Sequence, residues 1–294
     1  MSFEELSDGH FPISAELFLD TSIHCSGLKG PLFRERINQV HCLFQWKGTS
    51  TYAKVEYGNV VLAQAEYFLR KIDEYESLDK TLDFIGNVLP HRLHPKKVVW
   101  SFNLLQRHYA QDEAERTERA RLYLRRLMKL GGQFVEELCD RPLENGTDCH
   151  WAKCGVHKRR DGRLVWKSPV CKKTRKKCRL DDFFVENRDL FKRIKRAIDA
   201  LPDEGKSDQL RAFSEVIGEA LHDPTMLLDY RAGCQRLADA IIAVESSRYK
   251  SMFSQNIKES ELLTSVLKQA FYYLPPNREK GVLVQVPTSQ ERDG

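Results

Sequence analysis

Ala15-Glu16-Leu17-Phe18-Leu19-Asp20-Thr21-Ser22 points to the class of the fold. A short apolar run that ends in Asp-Thr-Ser reads as a buried strand stopping at a polar loop. In open α/β sheets, ligands and catalytic groups gather at the carboxyl ends of strands. A carboxylate there, with hydroxyls beside it, suits a hard cation. The same residues also make an ordinary turn or helix N-cap, so the motif needs support from elsewhere in the chain.

Outward from Asp20, the pattern alternates helices with short strands. Residues 32–44, 53–75, 78–89, 98–109, 181–201, 209–221 and 259–268 carry helical spacing. Residues 112–138 have it too, interrupted by Gly131-Gly132. Gly48-Thr49-Ser50-Thr51-Tyr52 reads as a turn or short strand with hydroxyls free to cap the next helix. Residues 249–253 and 271–273 read as short strands, and 282–286 as an edge strand in a Pro-interrupted tail. Residues 140–180 combine Pro, Gly, Cys and charge with little periodicity. This mixture predicts an α/β protein.

Composition narrows the class. A chain of 294 residues with 30% charged residues can bury a core and keep its helices exposed. No apolar run approaches the roughly 18 residues needed to span a bilayer, and the acidic start lacks the basic-then-apolar order of a secretory signal. A cytoplasmic protein with no membrane partner is the expectation. Eight cysteines in that setting imply thiols or metal ligands. The net charge of +5 is unevenly spread: residues 149–179 carry +11, and the other 263 carry −6. Such concentration attracts polyanions, although a solvated loop would look the same.

Three further positions match the pattern at Asp20. Glu56 lies on the helix after Thr49-Ser50-Thr51, with no Lys or Arg three or four residues away. Glu66 has Arg70 one turn on and reads as a surface ion pair. Asp239 sits in the apolar helix Leu237–Val244, with Arg236 as its only local cation. Ser254-Gln255-Asn256 then ends a short strand with another oxygen-bearing side chain.

The segments FLDTS with Asp20, TSTYAKVEY with Glu56, LADAIIA with Asp239 and FSQN with Asn256 resemble, in order, the site segments of PIN-domain nucleases. The resemblance covers residues 13–75 and 225–275. It implies a three-layer α/β/α core with a short, mainly parallel sheet, and metal-dependent cleavage of phosphodiester bonds, usually in RNA. Asp20, Glu56 and Asp239 would ligate Mg²⁺ or Mn²⁺, with Asn256 at the place of a fourth acid. Thr21, Ser22 or Ser254 would position a phosphate or a metal-bound water. Asn256 departs from the pattern because an amide brings no charge. Asp181, Asp182 and Asp229 are spare acids, of which Asp229 lies nearest Asp239 in sequence. The implied division is a discontinuous core, 1–90 and 223–275, a largely helical insertion, 91–222, and a tail, 276–294.

Within the basic segment 140–180, Cys149, Cys154, Cys171 and Cys178 have the spacing C-x4-C-x16-C-x6-C. A structural Zn²⁺ there would cross-link a stretch too charged to build its own core. Cys25, Cys42, Cys139 and Cys234 read as plain buried residues. His91 and His94 lack a third ligand and read as loop. Lys158, Arg159, Arg160, Lys172, Lys173, Arg175, Lys176 and Lys177 would grip a phosphate backbone. Trp151 and Trp166 would either stack on bases or fill a small local core. Two other readings stand beside the nuclease: an inactive nucleic-acid adaptor, and an interaction protein. A second copy of the chain and an inhibitor protein are further candidate partners.

Overall fold

The structure, a computed structural model, describes residues 16–26, 31–88, 112–148, 155–167, 178–225, 237–274 and 284–286. Its centre is strand β1 (Glu16–Leu19), whose apolar run is buried on both faces as parallel strands require. Helix α1 (Thr21–Ser26) follows at once, then α2 (Pro31–Cys42) and β2 (Trp46–Gly48). Helix α3 (Thr51–Tyr57) runs through a π-helical turn, Gly58–Leu62, into α4 (Ala63–Tyr75). Next come α5 (Leu78–Asn87), α6 (Glu113–Glu137), and a hairpin of β3 (Gly155–Lys158) and β4 (Leu164–Lys167). Helices α7 (Leu180–Glu186), α8 (Arg188–Ala200), α9 (Asp208–His222) and α10 (Ala238–Ser246) lead to β5 (Ser251–Phe253). Helix α11 (Ile257–Leu267), β6 (Ala270–Tyr273) and β7 (Val284–Val286) complete the order.

The main sheet has the order β2-β1-β5-β6-β7. Its first four strands are parallel, and β7 is antiparallel to β6. The alternation of strand side chains divides the core in two. Phe18 and Met252 point into the larger cluster, with α3, α4, α6 and α10. Leu17, Leu19, Phe253 and Tyr272 point into a smaller cluster with Ile37 and Val40 of α2. The fold is therefore α/β, with a mainly parallel sheet covered by apolar side chains on both faces. Helices α6 to α9, which the sequence places in an insertion, contribute Leu124, Phe184, Phe191, Ile194 and Phe213 to the same cluster as Phe18. In packing, that segment is continuous with the sheet.

Several local expectations needed correction. Gly131 does not interrupt α6, because a Cβ there would stand 2.5 Å from Leu62 Cδ2; glycine lets two helices approach closely. The aperiodic segment 140–180 contains the β3–β4 hairpin, whose strands are too short to show a period. Of the two readings of Trp166, stacking or packing, packing holds, but in the main cluster and not in a small local core. It is buried in the main cluster, with its indole N–H donating to Asn59 Oδ1 at 3.0 Å. Glu66 accepts the Trp166 backbone N–H at 2.7 Å, and Arg70 lies over the Tyr67 ring instead of pairing with Glu66. Cys42 is exposed, while Cys25 and Cys139 are half-buried. No described helix is long and apolar enough to cross a membrane.

Candidate active site

Parallel pairing aligns the ends of three strands along one edge of the sheet. Leu19 is in register with Phe253, and Phe18 with both Gly48 and Met252. Asp20, Ser254 and the Thr49-Ser50 turn therefore leave the sheet side by side. The Thr49 hydroxyl donates to the Leu19 carbonyl at 2.5 Å, and the Asp20 N–H donates to the Phe253 carbonyl at 3.1 Å. Ser50 caps α3 by accepting the Tyr52 N–H, so the helix that carries Glu56 starts at this edge. Helix α10 precedes β5 and runs back along the sheet, which puts its first turn, with Asp239, at the same edge.

Each carboxylate is oriented by its neighbours. Asp20 Oδ2 accepts from Ser22 Oγ at 2.5 Å, from Ser254 Oγ at 2.8 Å and from the Ser22 N–H at 3.2 Å. Glu56 Oε2 accepts from Thr21 Oγ1 at 2.8 Å. Asp239 Oδ2 accepts from the Gln209 amide. Thr21, Ser22 and Ser254 thus each donate to one of the carboxylates. Gln255 N–H also donates to Ser22 Oγ at 2.8 Å, tying the end of β5 to the start of α1.

The acids lie close enough to act on one another. Glu56 is pushed from the ordinary 4.5 to about 7, first by burial and then by the charge of Asp20, with Thr21 opposing. Asp239 is held well above the usual carboxylate range by burial, then by Glu56, Asp20 and Glu259. Like charges that share a half-buried edge disfavour ionisation. Among the described residues no Lys or Arg pairs with Asp20, Glu56 or Asp239. Lys54, on the same helix as Glu56, is committed to Glu136. His24 of α1 is fully buried and stays neutral, its pKa lowered to about 3 by burial and then by His41.

The fourth acid is one that sequence reading missed. Glu259, in the first turn of α11, acts on Asp239 and is held by Ser207 Oγ at 2.9 Å. Asn256 itself is exposed, with no side-chain hydrogen bond among the described residues. Gln209 and Ser207 come from α9 in the distant helical segment and had no local signal. Asp182 is paired with Arg179 at the surface. Asp229, His91, His94, Trp151, Cys149, Cys154 and Cys171 lie outside the described residues, as do Lys172, Lys173, Arg175, Lys176 and Lys177. Cys178 is half-buried against the main cluster.

The donor set at this edge is oxygen only, which suits a hard divalent cation and not zinc in a sulfur site. Among the described residues, no three His, Cys, Asp or Glu side chains are arranged to close on a single ion. The carboxylates are instead each turned onto a hydroxyl or amide. Comparison with protein-family models, with curated proteins and with solved structures returned no match.

Proposed function

We propose that this protein is a divalent-metal-dependent nuclease with a PIN-like core, hydrolysing phosphodiester bonds, with RNA the favoured substrate. One observation carries the reading. Asp20, Glu56 and Asp239, from three distant segments, gather at the carboxyl edge of a parallel sheet with no Lys or Arg partner among the described residues. Such a group lacks positive charge, and Mg²⁺ or Mn²⁺ is the species whose chemistry supplies it. Asp20, Glu56 and Asp239 are the residues that would hold the ion, with Glu259 adding charge at the edge where Asn256 adds none. A bound divalent ion would offset the repulsion among the carboxylates and supply a Lewis acid and an activated water.

The chain's own contribution is orientation. Ser22 and Ser254 fix Asp20 from two sides, and Thr21 fixes Glu56, so neither carboxylate must be ordered when substrate arrives. The Gln209 amide donates to Asp239 and so orients the third carboxylate.

The test is cleavage of labelled RNA with Mn²⁺ or Mg²⁺ by the wild type and by Asp20→Asn. The amide keeps the shape and can still accept from Ser22 and Ser254, so the fold should survive while cleavage drops to background. Undiminished cleavage in the variant, or none in the wild type with either metal, sinks the reading. A second reading, an inactive nucleic-acid adaptor, is favoured by the uncharged Asn256 and by carboxylates already engaged in hydrogen bonds. Tight, salt-sensitive RNA binding without cleavage would select it.

A further inference from the structure

The β3–β4 hairpin is the most strongly charged exposed feature among the described residues. Lys158, Arg159, Arg160, Arg163 and Lys167 are all exposed on it. Asp161, its only acid, is used in the turn: its Oδ1 accepts the Arg163 N–H at 3.0 Å, beside Gly162 at φ 83°. The turn is further closed by Gly162 N–H to the Arg159 carbonyl at 3.0 Å and Arg159 N–H to the Arg163 carbonyl at 2.8 Å. Lys158, Arg159, Arg160 and Lys167 have no acidic partner among the described residues. The tip is thus ordered by its own backbone and Asp161, and its cations are left unneutralised.

Its base is fixed to the helix of the candidate site. Trp166, opposite Val156 in the hairpin, covers Gly58 so closely that a Cβ there would stand 1.9 Å from Trp166 Cζ2. The Trp166 indole N–H donates to Asn59, and its backbone N–H to Glu66. Gly58 and Asn59 open the π-helical turn, two and three residues after Glu56. Rare π-turns of this kind recur at functional sites. Here the turn shapes the seat for Trp166. From that seat the tip reaches about 10 Å further, at about 3.3 Å per strand residue.

We propose that the hairpin is a phosphodiester-binding arm, seated by Trp166 on the helix of Glu56 and gripping the nucleic-acid backbone through Arg159 and Arg160 at its tip. This rests on the nuclease reading for the identity of the polyanion, and names the surface that would carry the substrate. Guanidinium groups match phosphate oxygens two at a time, and their affinity comes from released counterions. Outside residues 149–179, the segment that includes this hairpin, the chain sums to −6, so a polyanion would be held at this segment and not over the whole surface.

The experiment measures binding of a short fluorescent single-stranded RNA to the full chain across a salt series, in EDTA so that metal-dependent cleavage cannot occur. The variant Arg159→Ala with Arg160→Ala is compared with Arg193→Ala with Arg196→Ala, exposed cations on α8. The tip variant should melt like the wild type, lose about tenfold in affinity at low salt, and flatten the salt slope by about 1.4, or about 0.7 per lost contact. The α8 variant should stay within about twofold. Equal affinity of tip variant and wild type overturns the proposal, as does an equal loss in both variants. So does wild-type binding to phosphatidylserine vesicles without binding to RNA. Failure of cleavage with the tip-dependent binding intact would sink the nuclease reading and leave the arm standing.

Discussion

Replacing Glu56 by Gln should stabilise the metal-free protein at alkaline pH and leave it nearly unchanged in acid. In the folded state Glu56 is raised from the ordinary 4.5 to about 7 by burial and by Asp20. Between those values the folded chain holds a proton that the unfolded chain has released, so stability falls as pH rises through this window. The rise of about 2.5 in pKa corresponds to about 3 kcal/mol. The carboxylate is half-buried, and solvent at its open edge reduces the figure to about 2 kcal/mol. Gln cannot ionise, yet its carbonyl can accept from Thr21 as Glu56 does. Relief of the charge also lets Asp239 ionise more easily, which acts in the same direction. For a chain of this size, about 2 kcal/mol moves the melting temperature by about 5 °C. Thermal melts in EDTA at pH 5 and pH 8 should therefore show a gain for the variant that is about 5 °C larger at pH 8. The variant should keep a residual pH dependence, because Glu245 is raised to about 7 by its own burial, against hydrogen bonds from Ser50 and Gly146. Added Mn²⁺ should raise the wild-type melt and not that of the variant. An equal shift at both pH values, or a loss at pH 8, would refute the claim that Glu56 is held against its ionised form.

Two other outcomes follow from the same geometry. Gly58→Ala drives a methyl group into the Trp166 ring and should cost about 3 kcal/mol of packing, of which helix propensity returns about 1; an unchanged denaturation midpoint would show that the indole is not seated there. Glu259→Gln should leave the melt unaltered and raise the Mn²⁺ concentration for half-maximal cleavage by about tenfold, whereas an identical metal titration would remove Glu259 from the site.

What could be read from residues alone was whatever repeats over a few positions. The apolar run into Asp20 announced β1 and its polar end, and the hydroxyls of Thr49-Ser50-Thr51 announced a cap for α3, supplied by Ser50, because both signals are local. The helical stripes of α2, α5, α9 and α11 lie within one or two residues of the spans their periodicity implied. The candidate acids Asp20, Glu56 and Asp239 could be named from type and setting. That they share one field was implied only by the family resemblance and not by the residues themselves, because charge interaction depends on distance in space and strand register sets that distance. The same reason hid Glu259, Gln209 and Ser207, whose roles exist only where α9 and α11 meet the first turn of α10. Gly131 was misread, and Trp166 was left undecided between stacking and packing, for a related cause. A glycine pair looks like a break, and a tryptophan beside a charge run suits stacking and packing equally, until the partner surface is present. Packing of α6 on Leu62 and of the hairpin on Gly58 decided both. Local sequence sets the inventory of elements and candidate groups, and only the folded chain determines which of them become neighbours.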